Sequence, residues 1–77
     1  MANTKLAPGR YMRIGAVKEF FGKYRSSMVE ELESLPVHRG EYSTYYSTDD
    51  IKPLADLDFF RDMECSVTTY LIMKDNN

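Results

Sequence analysis

This 77-residue chain is poor in several residue types, and each shortage closes off a class of function. There is one cysteine, Cys65, so no disulfide can form within the chain. A lone cysteine fits a reducing compartment, and a cytoplasmic location is expected. There is one histidine, His38, so a single chain cannot complete a Cys/His zinc site. The four glycines, at positions 9, 15, 22 and 40, form no phosphate-cradling motif. No cofactor and no metal is therefore expected. The longest apolar runs fall far short of the ~18–20 residues of a membrane span, so no membrane partner is expected. The opening MANTKLAPGR lacks the apolar core of a signal peptide.

What is present describes one small folded domain. The chain is 43% hydrophobic and 13% aromatic, too rich in both for wholesale disorder. A chain of this size buries only about 60% of its unfolded surface, so folding alone is marginal. With no disulfide and no metal, an interface is the remaining source of buried area. The expected layout is an arm over 1–9 ended by Pro8-Gly9, a single α+β domain over 10–74, and a tail over 75–77.

The net charge of −2 hides an asymmetry. Residues 1–29 carry six bases and one acid, whereas residues 30–77 carry four bases and eleven acids. A near-neutral total is thus a +5 segment followed by a −7 segment. That division suits a domain whose halves attract each other, or two chains meeting head to tail.

Periodicity supplies the elements. Val17, Phe21, Tyr24, Met28, Leu32 and Leu35 recur at helical spacing and predict one amphipathic helix over 16–35, stopped by Pro36. Its start lies near Gly15 or as early as Arg10. Its charges oppose the macrodipole, with Lys18, Lys23 and Arg25 early and Glu30, Glu31 and Glu33 late. Residues 41–48 and 66–73 read as strands, the second either central in its sheet or with one face under the helix and the other at an interface. RYMRI at 10–14 is a third strand if the helix starts late. The 49–64 segment holds either a short helix opened by Asp49 or Asp50 or, slightly preferred, a strand over 55–61 that turns through Arg61–Glu64 into a hairpin with 66–73. The expected fold is α+β, one main helix packed on a small antiparallel sheet of about three strands.

No catalytic set emerges. His38 in PVHRG would need an orienting acid and a nucleophile such as Ser43, Ser47 or Cys65, and no spacing points to one. Cys65 lies between Glu64 and Ser66, and an acidic neighbour opposes thiolate chemistry. The leading expectation is a non-enzymatic protein-binding regulator or inhibitor, self-associating as a homodimer. The chain holds six tyrosines, four phenylalanines and five methionines, the residue types enriched at interface cores. Tyr42, Tyr45 and Tyr46 lie on one strand and cannot all face one core, since side chains alternate. The expected partner surface is Tyr42, Tyr45, Tyr46, Tyr70 and Ile72.

Two electrostatic alternatives stand beside it. An acidic surface of Asp49, Asp50, Asp56, Asp58, Asp62 and Glu64 would act as a DNA mimic against a nucleic-acid-binding protein, though its charge is sparse for a duplex. Those carboxylates lack the calcium-loop pattern of an EF-hand. A basic surface of Arg10, Arg13, Lys18, Lys23 and Arg25 would bind nucleic acid directly, against a sequence pI near 5.3. Tyr24, on the apolar helix face, is expected in the core. In size, in the want of a catalytic set and in its compact α+β pattern, the chain resembles the small accessory proteins of bacteriophages and mobile elements. That general resemblance implies a protein that binds and blocks one host protein.

Overall fold

The computed structural model describes residues 6–40 and 42–73. In chain order the elements are β1 (Gly9–Arg13), α1 (Ile14–Tyr24), a 3-10 turn (Ser26–Met28), α2 (Val29–Leu32), β2 (His38–Arg39), β3 (Thr44–Ser47), α3 (Thr48–Ile51), a second 3-10 turn (Lys52–Leu54), α4 (Leu57–Ser66) and β4 (Tyr70–Ile72). The strands form one sheet in the order β2-β3-β1-β4, every neighbouring pair antiparallel. This is the expected small α+β fold, with four strands rather than about three. Taking the helical stretches as two crossovers, the connectivity is β-α-β-β-α-β, the split β-α-β arrangement called ferredoxin-like. Among the described residues no helix is long and apolar enough to cross a membrane. Residues 1–5 of the expected arm and the tail over 75–77 lie outside the described residues.

The core forms on one side of the sheet. Met12 on β1 stands opposite Tyr46 on β3, and both are buried. Val17 and Phe21 from α1, Leu32 from α2, Ile51 from α3, and Phe59, Phe60 and Met63 from α4 close over them. All four helices thus bury their apolar residues against one face. Phe21 meets Phe59 edge-on at 4.9 Å between ring centroids, a favoured aromatic geometry.

The expected 16–35 helix is broken. It starts at Ile14 and ends at Tyr24, where Arg25 leaves helical geometry at φ −146°, ψ 61°. Gly22 and the Ser26-Ser27 pair are weak helix formers, and the break falls beside them. It also reverses the electrostatics. Lys23 now sits in the last turn of α1, and Glu30 and Glu31 in the first turn of α2, both on the side the macrodipole favours. Arg25 is held outside the helix, its Nη2 3.0 Å from Asp56 Oδ2 and its guanidinium 4.4 Å from the centre of the Phe59 ring.

The preferred hairpin over 49–64 is also corrected, because helices occupy the segment. Two local caps explain this. The Ser47 side chain accepts a hydrogen bond from the Asp49 amide, and Asp56 Oδ1 accepts one from the Phe59 amide at 2.8 Å. Pro53 sits in the first turn of the second 3-10 turn. The buried stripe on α4 is Phe59, Phe60 and Met63, whereas Leu57 is exposed. Helix α4 runs through Ser66, which shortens the 66–73 strand to Tyr70–Ile72. That strand is an edge, not central; the central positions belong to β3 and β1.

Two predictions follow from this packing. Phe21→Ala lowers the unfolding free energy by about 3–5 kcal/mol in urea titration. Leu57→Ala, at an exposed site, shifts it by less than about 0.5 kcal/mol. The second concerns Asp56, whose carboxyl is held below the usual range by the Phe59 amide and then by Arg25. A lowered value in the fold stabilises above the ordinary carboxylate range and is lost as pH falls through it. Asp56→Asn keeps a capping oxygen but does not titrate. Wild type melts above Asp56→Asn at neutral pH, and the gap closes below about pH 4. A gap independent of pH would show that the charge has no part in it.

Candidate functional site

The side of the sheet away from the helices carries the site. Alternation along β1 places Tyr11 and Arg13 on the face opposite Met12. The register then fixes their neighbours. Tyr45 stands opposite both Arg13 and His38, Tyr70 opposite Tyr11, and Ile72 opposite Gly9. Six side chains from all four strands therefore share this outer face: Tyr11, Arg13, His38, Tyr45, Tyr70 and Ile72.

These residues pack on one another. Tyr11 lies edge-on to His38 at 5.3 Å and to Tyr45 at 6.4 Å. Tyr45 and Tyr70 meet at 5.5 Å, and the Arg13 guanidinium lies 5.7 Å from the centre of the Tyr70 ring. Tyr11 is only 3% exposed although no helix covers it, and its hydroxyl donates to the Ala7 carbonyl at 2.7 Å. Tyr45, Tyr70, His38 and Ile72 are half-buried, so each keeps an accessible edge. At the rim, His38 Nε2 lies 3.7 Å from Asp50 Oδ2, beyond hydrogen-bond length. The ring of Tyr45 rests against Gly40, where an added Cβ would come within 2.8 Å of Tyr45 Cε2.

The expected partner surface is thus partly assembled. Tyr45, Tyr70 and Ile72 come together on this face. Tyr46 does not, being 1% exposed in the core beneath. Burial pushes its phenol up, and the Glu33 carboxylate adds to this. Tyr42, 89% exposed, lies between β2 and β3. Tyr11 and His38 share this face although the expected partner surface did not include them. The signal for Tyr11 was the alternation of GRYMR; a two-residue strand like that of His38 has no periodicity to read.

The two charged surfaces are dispersed differently. Of the basic set, Arg13 lies on the outer face and Arg10 on the Met12 side of β1. Lys18 reaches Glu33 at 3.8 Å and Arg25 reaches Asp56 at 3.0 Å, leaving Lys23 as an exposed base on α1. Of the acidic set, Asp56 caps α4, Asp50 flanks His38, Asp49 lies in the first turn of α3, and Asp58, Asp62 and Glu64 are exposed on α4. Every acid among the described residues lies in a helix or at a helix cap, and no strand contains one. The strands carry Arg10, Arg13, Arg39 and His38.

A second concavity lies between α1 and α4, about 410 Å³, lined by Phe20, Tyr24, Phe59, Asp62, Cys65 and Ser66. Tyr24, expected in the core, is 61% exposed there because the helix ends at it. Among the described residues no group of three or more His, Cys, Asp or Glu side chains is placed to hold a metal ion. Compared with protein-family models, curated proteins and solved structures, the chain matches none.

Because the Tyr45 ring occupies the space a Gly40 side chain would need, Gly40→Ala displaces it. The near-ultraviolet circular dichroism of the tyrosines weakens while the far-ultraviolet spectrum is retained. An unchanged near-ultraviolet spectrum would mean that the ring does not depend on Gly40.

Proposed function

We propose that this chain is a non-enzymatic protein-binding domain, a regulator or inhibitor that captures its partner protein on the outer face of the sheet and self-associates. One observation carries the reading. Tyr45, Tyr70 and Ile72, with Arg13 and His38, form a fixed cluster on the face that no helix core covers. Tyrosine and arginine dominate the energetics of protein interfaces, above all when clustered. The rings keep polar ends that tolerate water before a partner arrives. A reducing cytoplasmic setting is consistent with Cys65 as an exposed free thiol. The role of a phage-type accessory protein belongs to the same reading.

The test is partner capture from a lysate of the native cells. Wild type retains a partner that Tyr70→Ala loses and Asp58→Ala keeps. Truncating a residue of this kind costs about 2 kcal/mol or more, at least a thirtyfold loss of affinity. Equal capture by Tyr70→Ala and wild type would remove the outer face from the reading.

A second reading rests on the acid-free sheet. Arg13 among tyrosines matches how four-stranded sheets stack single-stranded bases. It predicts that a labelled single-stranded oligonucleotide at low salt gains anisotropy, and that Arg13→Gln reduces the gain. No change at low salt eliminates it. The mimic reading has less support, since Asp56 is engaged within the domain by Arg25 and the Phe59 amide.

A further inference from the structure

The two edges of the sheet are unlike. At one edge β2 has two residues, His38 and Arg39, followed by Gly40. A short, charged edge strand is how sheets discourage pairing with another chain. At the other edge, among the described residues, β4 is hydrogen-bonded to β1 alone. From Ser66 to Met73 the chain reads SVTTYLIM, with no charge and no proline. Its composition is that of a pairing-prone strand, rich in β-branched and aromatic residues. Two of the exposed large apolar residues lie here, Leu71 at 57% and Met73 at 73%. The β1–β4 ladder runs from Tyr70 to Ile72, and its next step would set Met73 against Pro8, which has no N–H to give.

We propose that this edge is completed by the same edge of a second copy, antiparallel about a two-fold axis through Leu71. The two four-stranded sheets then become one continuous sheet of eight. The occupant follows from the chemistry of the strand. An uncharged segment faces its own copy without like-charge repulsion, whereas β2 would set Arg39 near its twin. Groups that point outward from an antiparallel strand must meet groups that also point outward. That condition requires the two-fold axis to pass through a residue. Centred on Leu71, the axis sets Leu71 against Leu71 of the second copy on the helix side. On the outer side it sets Tyr70 against Ile72, an aromatic–β-branched pair that stabilises sheets. The half-buried ring of Tyr70 gains its missing neighbour, and the aromatic cluster runs on across the junction. Two-fold dimers are the commonest assemblies, and here one patch serves both copies. The proposal rests on the self-association in the proposed function. It places that contact at the edge, leaving the centre of the outer face free.

Light scattering across a concentration series tests this. Wild type reads the mass of two chains, and Leu71→Lys reads one chain with an unchanged far-ultraviolet spectrum. Tyr45→Ala, on the outer face, still reads two. A monomeric wild type, or a dimeric Leu71→Lys, overturns the proposal. Should Leu71→Lys not fold, hydrogen exchange on wild type decides instead. The amides of 69–73 gain protection as concentration rises, and protection independent of concentration overturns the proposal. Loss of partner capture by Tyr45→Ala with the dimer intact supports both readings. Failure of capture by wild type itself counts against the partner reading and leaves the dimer standing.

Discussion

All four helices lie against one face of the sheet, so the other face must be sealed by the side chains of the strands themselves. Among the described residues no further helix is present to cover it. The consequence is a division of labour along β1. Met12 turns inward and anchors the helical core, while Tyr11 turns outward and is buried by its neighbours on β2, β3 and β4. Buried aromatic area is the largest contribution a single residue can make. Four aromatic rings on one small face amount to a second, shallower core.

The charges follow the same two layers. Read along the chain, bases come first and acids later. Read in space, the acids occupy the helical layer and the strands are free of them. The Lys18–Glu33 and Arg25–Asp56 contacts each join the basic first part of the chain to the acidic remainder. Both pairs are well exposed and contribute little each. Their effect is one of placement. Arg25 can reach Asp56 only because α1 has ended, and its guanidinium then covers Phe59 at the start of α4. One break therefore orients two helices and resolves the macrodipole conflict of the unbroken one.

The α+β class and the antiparallel sheet were legible because alternation and helical spacing are strong over residues 10–24 and 44–47. The break at Arg25 was not, since apolar spacing continues through Ser26-Ser27 and Met28 as though nothing had happened. Leu32 and Leu35 still reach the core region after the break, so the pattern is true while the helix is not. The 49–64 segment misled for a different reason. Phe59-Phe60 suits a strand by propensity, but the Asp56 cap three residues ahead of Phe59 is local chemistry that propensity ignores. For the candidate site, Tyr45, Tyr70 and Ile72 were legible from composition. Which of the adjacent pair Tyr45 and Tyr46 turns outward was not. That depends on the register with β1, a long-range fact no local pattern contains.

On the proposed reading, the packing that seals the outer face also prepares it for a partner. A flexible surface must be ordered when a partner docks, and each rotamer-rich side chain held still costs about 0.5–1.5 kcal/mol. Here the rings of Tyr45 and Tyr70 already hold each other edge-on, and Arg13 already lies against Tyr70. Gly40 sets the seat of Tyr45 from the neighbouring strand. A docking partner of the proposed kind would therefore find the aromatic side chains in place, with little further loss of freedom. On the proposed reading, stability and recognition are properties of one cluster. A small domain with one cysteine, and so no disulfide within the chain, has reason to combine them: each ring serves the fold first and, on that reading, the interface after.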